Sequence, residues 1–390
     1  MKKFLAFVMA ASMALSLAAC GGSSASTATS TTTEATSEAA SAASTSGSKT
    51  DVAFVTDVGN IDDQSFNQYT WQGVQDFCSA NNLSANYYRP TEDSDAARLE
   101  QMDNAVNDGA KSIVVAGYLF GKAIAEAQEK YPDVQFLALD VSTSDLGDKT
   151  PTANTALITY KEEQAGYLAG YAAVYDGYKE LGFLGGMAVP AVIRYGYGFV
   201  QGADAAAKEI GATDVNIKYW YSGGFAATDE VKNKMDGWYS EGTEVVFACG
   251  GGIYTSAVEA ALKNNGYVIG VDVDQNYIGA NGVADGTYAY NPFITSAMKG
   301  LTEAVNTALA DIDAGSWGDI AGSNGNFGLE DGDYIGLPTD ADSWNFESFT
   351  TDEYEEVKGK IKSGEITVDN SSDDATKPTV SEFTTVNYIQ

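Results

Sequence analysis

Residues 52–73 read Val-Ala-Phe-Val-Thr-Asp-Val-Gly-Asn-Ile-Asp-Asp-Gln-Ser-Phe-Asn-Gln-Tyr-Thr-Trp-Gln-Gly. The opening run, Val52 to Thr56, lacks the polar alternation of a half-exposed strand and reads as a strand covered on both faces. Asp57 ends it, and a polar link leads to a helical pattern. Ser65 followed by Gln68 has the form of a capping box, so a helix is expected to open at Phe66 with Ser65 as its N-cap. A large aromatic at a helix's first position, just past a strand end, suits a platform for a flat ligand.

The same strand-to-helix unit recurs along the chain. Apolar runs lie at 52–56, 112–116, 134–139, 181–185, 245–248 and 268–271, with weaker strands expected at 85–88, 153–158, 215–220 and 287–290. Helical periodicity fills 66–80, 95–108, 118–130, 162–175, 196–210, 228–239, 255–264 and 294–314. Continuous apolar strands joined by helices mean parallel sheets with both faces covered, so the fold class is α/β, doubly wound. Most strong strands end in Gly or Asp: Asp57, Gly117, Asp140, Gly185 with Gly186, Gly250 to Gly252, and Asp272. Such residues are also ordinary turn formers. Their recurrence in both halves points instead to two similar lobes whose strand ends face one ligand cleft.

The ends of the chain differ from its middle. Lys2 and Lys3 precede an apolar stretch to Leu17 that is too short to span a bilayer, and Leu17-Ala18-Ala19-Cys20-Gly21 resembles a lipobox. Residues 1–19 are therefore expected to be a signal peptide, with Cys20 lipidated. Residues 20–48, almost all Ser, Thr, Ala and Gly, are expected to be a disordered tether with an end-to-end distance of about 30 Å. The first lobe is expected over 49–175 with part of 291–330, and the second over 176–290 with part of 331–390. Residues 315–328, rich in Gly, Asn and Ser, read as a loop. Cys78 and Cys249 could form one disulfide, but nothing in their spacing requires it, and two buried free thiols are expected.

Composition narrows the function. With 54 acidic and 22 basic residues the net charge is −32, which repels nucleic acid and anionic lipid and favours a monomer in solution. The chain has no histidine, which removes the commonest metal ligand and every Ser-His or Cys-His nucleophile arrangement. Asp62 with Asp63, and Asp272 with Asp274, are carboxylate pairs without a supporting catalytic motif. No phosphate-loop pattern is present, and Asp-x-Asp-x-Asn at 272–276 has Tyr277 where a calcium loop needs glycine. No catalytic residue, cofactor or metal is expected.

Taken together, the stretch 57–73, Gly185-Gly186-Met187 with Pro190, Gly198-Phe199 with Gly202, Gly223-Gly224-Phe225, residues 248–252, Ile-Gly-Val-Asp-Val-Asp-Gln at 269–275, and Thr295, Ser296 and Lys299 resemble the basic membrane protein family. These are ABC-transporter substrate-binding lipoproteins related to the purine nucleoside receptor, and the resemblance covers nearly all of residues 50–365. It implies a type I periplasmic-binding-protein fold, two α/β lobes joined by crossovers and closing on a ligand. It implies that Phe66 and Phe225 sandwich a purine base, that Asp57, Asn67 and Asp140 bond the base edge, and that Gly251 and Asp272 hold the ribose with Lys299 nearby. It further implies separate permease subunits as partners and a lipid anchor as the only tie to the membrane. The residues leave a sugar or another small polar ligand open on the same fold, since sugars also stack on aromatic rings.

Overall fold

In the computed structural model, which describes residues 49–390 apart from 333, the opening run is strand β1 (Val52–Val55), buried at every position. The expected signal peptide, Cys20 and the tether to residue 48 lie outside the described residues. After β1 the chain alternates through α1 (Phe66–Asn81), β2 (Ala85–Tyr88), α2 (Asp95–Asn107), β3 (Ser112–Ala116), α3 (Gly121–Lys130), β4 (Gln135–Leu139) and β5 (Thr155–Tyr160). Helix α4 (Glu162–Tyr175) leads to a second series: β6 (Glu180–Gly185), α5 (Pro190–Ile210), β7 (Val215–Tyr221), α6 (Asp229–Ser240), β8 (Val245–Cys249), α7 (Tyr254–Asn264), β9 (Tyr267–Asp272), α8 (Asn276–Ala284) and β10 (Phe293–Lys299). The remainder is α9 (Leu301–Ala314), β11 (Asn324–Phe327), β12 (Ile335–Gly336), α10 (Thr351–Lys362) and β13 (Thr384–Tyr388).

Two sheets result. The first runs β2-β1-β3-β4-β5-β11 and the second β13-β7-β6-β8-β9-β10-β12. All pairs are parallel except β10 with β12. The core order β2-β1-β3-β4-β5 repeats as β7-β6-β8-β9-β10, so each sheet reverses direction beside its first strand, which is where doubly wound sheets bind ligands. The chain passes between the sheets after β5, after β10 and again after β11.

Helix α4, the first of these passages, is buried from Glu162 to Val174 and packs on α5. The approach is close because both helices carry glycine at a four-residue spacing. A Cβ added at Gly166 or Gly170 would run into the carbonyl oxygens of Tyr195 or Phe199, and one at Gly198 or Gly202 into those of Glu163 or Tyr167. The apolar core reaches from Phe54 and Leu137 in the first sheet through Leu168 and Ala172 of α4 to Phe183 and Phe247 in the second.

Five expectations are corrected. Residues 287–290 form a loop, and residues 294–299, read as the start of a helix, belong to strand β10, which pairs with β9 across a register shift between Phe293 and Thr295. A strand buried on both faces has no periodicity that separates it from a buried helix, and Gly300 marks the true boundary before α9. The expected 315–328 loop contains β11, which extends the first sheet beside β5. The helix read from 196 begins at Pro190, with proline in its first turn, where its missing N–H costs nothing. Ser65 does not cap α1: Asp63 accepts from the N–H groups of Ser65, Asn67 and Gln68 instead. Helices α8 and α10 lie in stretches to which the sequence reading assigned no element. Cys78 and Cys249 are both buried free thiols, as expected.

Candidate functional site

Parallel strands in register bring their carboxyl ends to one edge of each sheet, and these edges bound a cavity of about 550 Å³. Asp57, Phe66, Asn67, Asp140, Phe225, Gly251, Asp272 and Lys299 all line it. They arrive on matching parts of the two series. Asp140 follows β4 and Asp272 closes β9, each with a left-handed backbone, φ 55° and 67°. Outside glycine this conformation is sparsely populated and tolerated best by Asp and Asn, so it turns each carboxylate off its strand axis at a modest cost. The φ of 153° at Gly250 is beyond a side chain, and a Cβ there would meet the Gly186 backbone at 3.1 Å. A Cβ added at Gly251 would lie within van der Waals distance of both Phe225 and Asp63, one from each series of elements.

The side chains fall into two polar groups. At the first, Asp57 Oδ1 accepts from the Gly59 N–H at 2.6 Å and from Asn67 Nδ2 at 3.1 Å. Asp63 Oδ2 takes the second Asn67 Nδ2 bond at 3.1 Å. Burial pushes the Asp57 carboxyl up to about 6 against these two donors. At the second, Lys299 Nζ lies 2.5 Å from Asp140 and 3.6 Å from both Glu162 and Asp272. It also sits 4.6 Å from the centroid of the Phe66 ring and 5.5 Å from that of Tyr160. Burial works against the ammonium charge, but Asp140, Asp272 and Glu162 together outweigh it and hold Lys299 protonated. Burial likewise pushes Asp140 up to about 6, with Lys299 opposing. Glu162 passes the network on to Arg194 at 2.7 Å, and burial with the neighbouring Glu162 raises Glu163 to about 7.

The eight residues expected at the site therefore share one cavity, but not one arrangement. Asp140, set by the resemblance with Asp57 and Asn67, is bonded to Lys299. Phe225 packs against Gly186, where an added Cβ would strike its ring. Trp71 stacks on Phe54, 6.1 Å between centroids, and is not among the residues lining the cavity. Asp274 turns away and accepts from the Ser343 hydroxyl. Two residues were missed: Asp63, which caps α1 and holds Asn67, and Glu162, fully buried at the start of α4; Tyr195, for which the sequence left a place on the cleft or an exposed helix start open, lines the cavity, and its buried hydroxyl has no hydrogen-bond partner among the described residues. Of these two only Asp63 had a sequence signal, as an Asp three residues before a helix start. Among the described residues no group of three or more His, Cys, Asp and Glu could hold a metal ion. Nor is any helix among them long and apolar enough to cross a membrane.

Residues 50–372 match the family profile described as ABC transporter substrate-binding protein, PnrA-like. A CD4+ T-cell-stimulating antigen of Listeria innocua is 31% identical over 330 residues, covering 81% of this chain and 87% of the relative. An ABC transporter nucleoside-binding protein of Lactococcus lactis is 29% identical over 279 residues, covering 68% of this chain and 74% of the relative. Among solved structures, an ABC transporter solute-binding protein from Aeropyrum pernix superposes with a TM-score of 0.68 at 23% identity, over 84% of this chain and 95% of that one. One from Conexibacter woesei gives 0.64 at 21%, over 82% and 99%. At such identities the structural likeness speaks for the fold alone.

Proposed function

The chain belongs to the PnrA-like family of ABC transporter substrate-binding proteins, and from that premise we propose that it is the lipid-anchored, extracytoplasmic receptor of an importer that captures nucleosides, purines foremost. The family is one of solute-binding proteins and not of enzymes. The observation that carries the reading is a cavity lined by one phenylalanine from each series of elements, Phe66 and Phe225, together with buried carboxylates. A base has two π faces for the rings, and stacking is worth about 1–3 kcal/mol per base. Its edge would meet Asp57 and Asn67. Asp140, bonded to the Lys299 ammonium, and Asp272, ion-paired with it at 3.6 Å, would accept from the sugar hydroxyls, with Gly251 leaving room for close approach. Lys299 then serves chiefly to keep these carboxylates ionised and apart. In this reading Cys20 carries the lipid, the protein works as a monomer, and closure on ligand creates the form that permease subunits recognise.

Calorimetric titration of the refolded full-length protein with nucleosides, ribose and galactose tests the reading. One-to-one binding of a nucleoside, weakened about tenfold or more by Phe66→Ala or Phe225→Ala, is the expected outcome. Silence with every nucleoside and binding of a free sugar would replace it with the sugar reading.

A further inference from the structure

Residues 369–377, in the last stretch before β13, lie against α5. Gln201 holds both backbone groups of Asp369: the Asp369 N–H donates to Gln201 Oε1 at 2.8 Å, and Gln201 Nε2 donates to the Asp369 carbonyl at 3.0 Å. One turn nearer the start of the helix, the buried Tyr197 hydroxyl donates to the carbonyls of Asp373 and Asp374 at 3.1 and 3.2 Å. On the far side of Gln201, Asp204 accepts from the N–H and the hydroxyl of Ser381 at 3.0 and 2.6 Å. Tyr197, Gln201 and Asp204 stand three or four residues apart and so share one face of α5 with Arg194. The chain therefore runs along that face toward the helix start, turns and comes back. Asp373 closes the turn, accepting from the Ala375 N–H at 2.9 Å and the Thr376 hydroxyl at 3.0 Å. The turn carries Ser372, which is exposed to solvent and also lines the cavity, as residues 189–192 and Arg194 at the start of α5 do. A residue open to both solvent and cavity stands at the mouth. The family profile stops at residue 372, in the middle of this segment, so half of its length lies outside the family match.

We propose that residues 369–377 are a strap over the mouth of the cavity, which swings aside for ligand to enter and leave, with Ser372 as the residue at the opening. Every hydrogen bond these residues make among the described residues goes to α5 or stays within the strap. It can therefore open without breaking any bond between the two series of elements, so its motion is separate from closure of the lobes. Four hydrogen bonds to two side chains hold its tip, with Lys377 seated over the rings of Tyr197 and Tyr388 at 5.8 and 4.9 Å. A segment held by so few contacts opens at far lower cost than the sheets behind it. The proposal rests on the cavity being the ligand site and not on which ligand fills it. In the nucleoside reading the strap stands at the sugar end, because Arg194 pairs with Glu162, itself 3.6 Å from Lys299.

Tyr197→Phe combined with Gln201→Ala in the full-length protein removes the anchors and leaves the cavity wall alone, since neither residue lines it. In stopped-flow measurements with adenosine, association and release should both quicken by about threefold to tenfold while Kd stays within about threefold, because a strap acts on both directions alike. Ser372→Trp should do the reverse, filling the opening and slowing association about tenfold at an unchanged melting temperature. Where the double variant melts lower, Tyr197→Phe alone keeps the ring packing and loses only the hydroxyl's bonds. A thiol reads the same passage without any ligand. Cys249, 1% exposed, lines the cavity, and N-ethylmaleimide should modify it about threefold faster or more in the anchor variant, with the buried Cys78 of the first series as internal reference. Unchanged adenosine kinetics in the folded variant overturn the strap while leaving nucleoside capture standing. If adenosine does not bind, Cys249 decides: faster modification upholds the strap without the nucleoside reading, and an unchanged rate overturns it.

Discussion

Asp57, Asp140 and Glu163 are buried carboxyls, pushed up to about 6, about 6 and about 7, from ordinary values of 3.8, 3.8 and 4.5. Between those limits the folded protein holds protons that the unfolded chain has released. Their contribution to stability is therefore full below about pH 4 and is lost as pH rises through 6 to 7. The ligand-free protein should melt at a higher temperature at pH 5.5 than at pH 7.5 in scanning calorimetry. Relief of repulsion within a chain of net charge −32 acts in the same direction. Ligand affinity should move the opposite way. Protonated Asp57 loses an acceptor, so nucleoside binding should weaken as pH falls through about 6, and Asp57→Asn should flatten that dependence. A melting temperature that climbs from pH 5.5 to 7.5 would contradict the assignment of these groups as buried without full compensation. Phe66 was legible at this scale because a large ring has no capping role at a helix start. The partner of Lys299 was not: that ammonium is 159 residues from Asp140 in sequence, and no local pattern announces the pair.

At the scale of elements, the passage between the sheets depends on α4 lying against α5. Gly202→Ala would drive a methyl group into the Tyr167 carbonyl, and Gly198→Ala one into that of Glu163. Backbone cannot yield as a side-chain tip can, so each should cost about 1–3 kcal/mol and lower the melting temperature. Gly237 is the control. It lies inside α6 with nothing within 4 Å of an added Cβ, so Gly237→Ala should be neutral or stabilise by about 0.5–1 kcal/mol. If Gly202→Ala melts with the unmodified protein, the two helices are not held at the separation described. The strand pattern told most of the elements apart, because a parallel sheet forces continuous apolar runs. It failed at β10, where a run buried on both faces has the same composition as a buried helix, and at β11 and β13, which are short edge strands with exposed residues.

For the whole molecule, the two series of elements meet through more than their crossovers. The Ser65 hydroxyl donates to Asp272 at 2.5 Å, Gln275 Nε2 donates to the Gln64 carbonyl at 3.0 Å, and the Tyr277 hydroxyl donates to the Gln64 side chain. These bonds tie the start of α1 to the end of β9 and the start of α8. Ser65→Ala should loosen the closed form and speed ligand release about threefold to tenfold in stopped-flow measurements, with a smaller effect on association. An unaltered release rate would mean that the bond does not contribute to closure. The helix-capping role expected of Ser65 would predict lost helix stability instead, and its hydroxyl makes no such bond.

The sequence by itself determined the α/β class, the repetition of the strand–helix unit, the Gly and Asp strand endings, and the family, because each depends on local periodicity or on motifs a few residues long. Only the tertiary structure decided which carboxylate faces which cation, that Asp63 rather than Ser65 caps α1, and that Asn67 spends its amide hydrogens on Asp57 and Asp63. Those outcomes depend on charges and hydrogen-bond donors brought together from distant parts of the chain. A side chain's partner, and with it its ionisation and orientation, is a property of the space it is folded into and not of its neighbours in sequence.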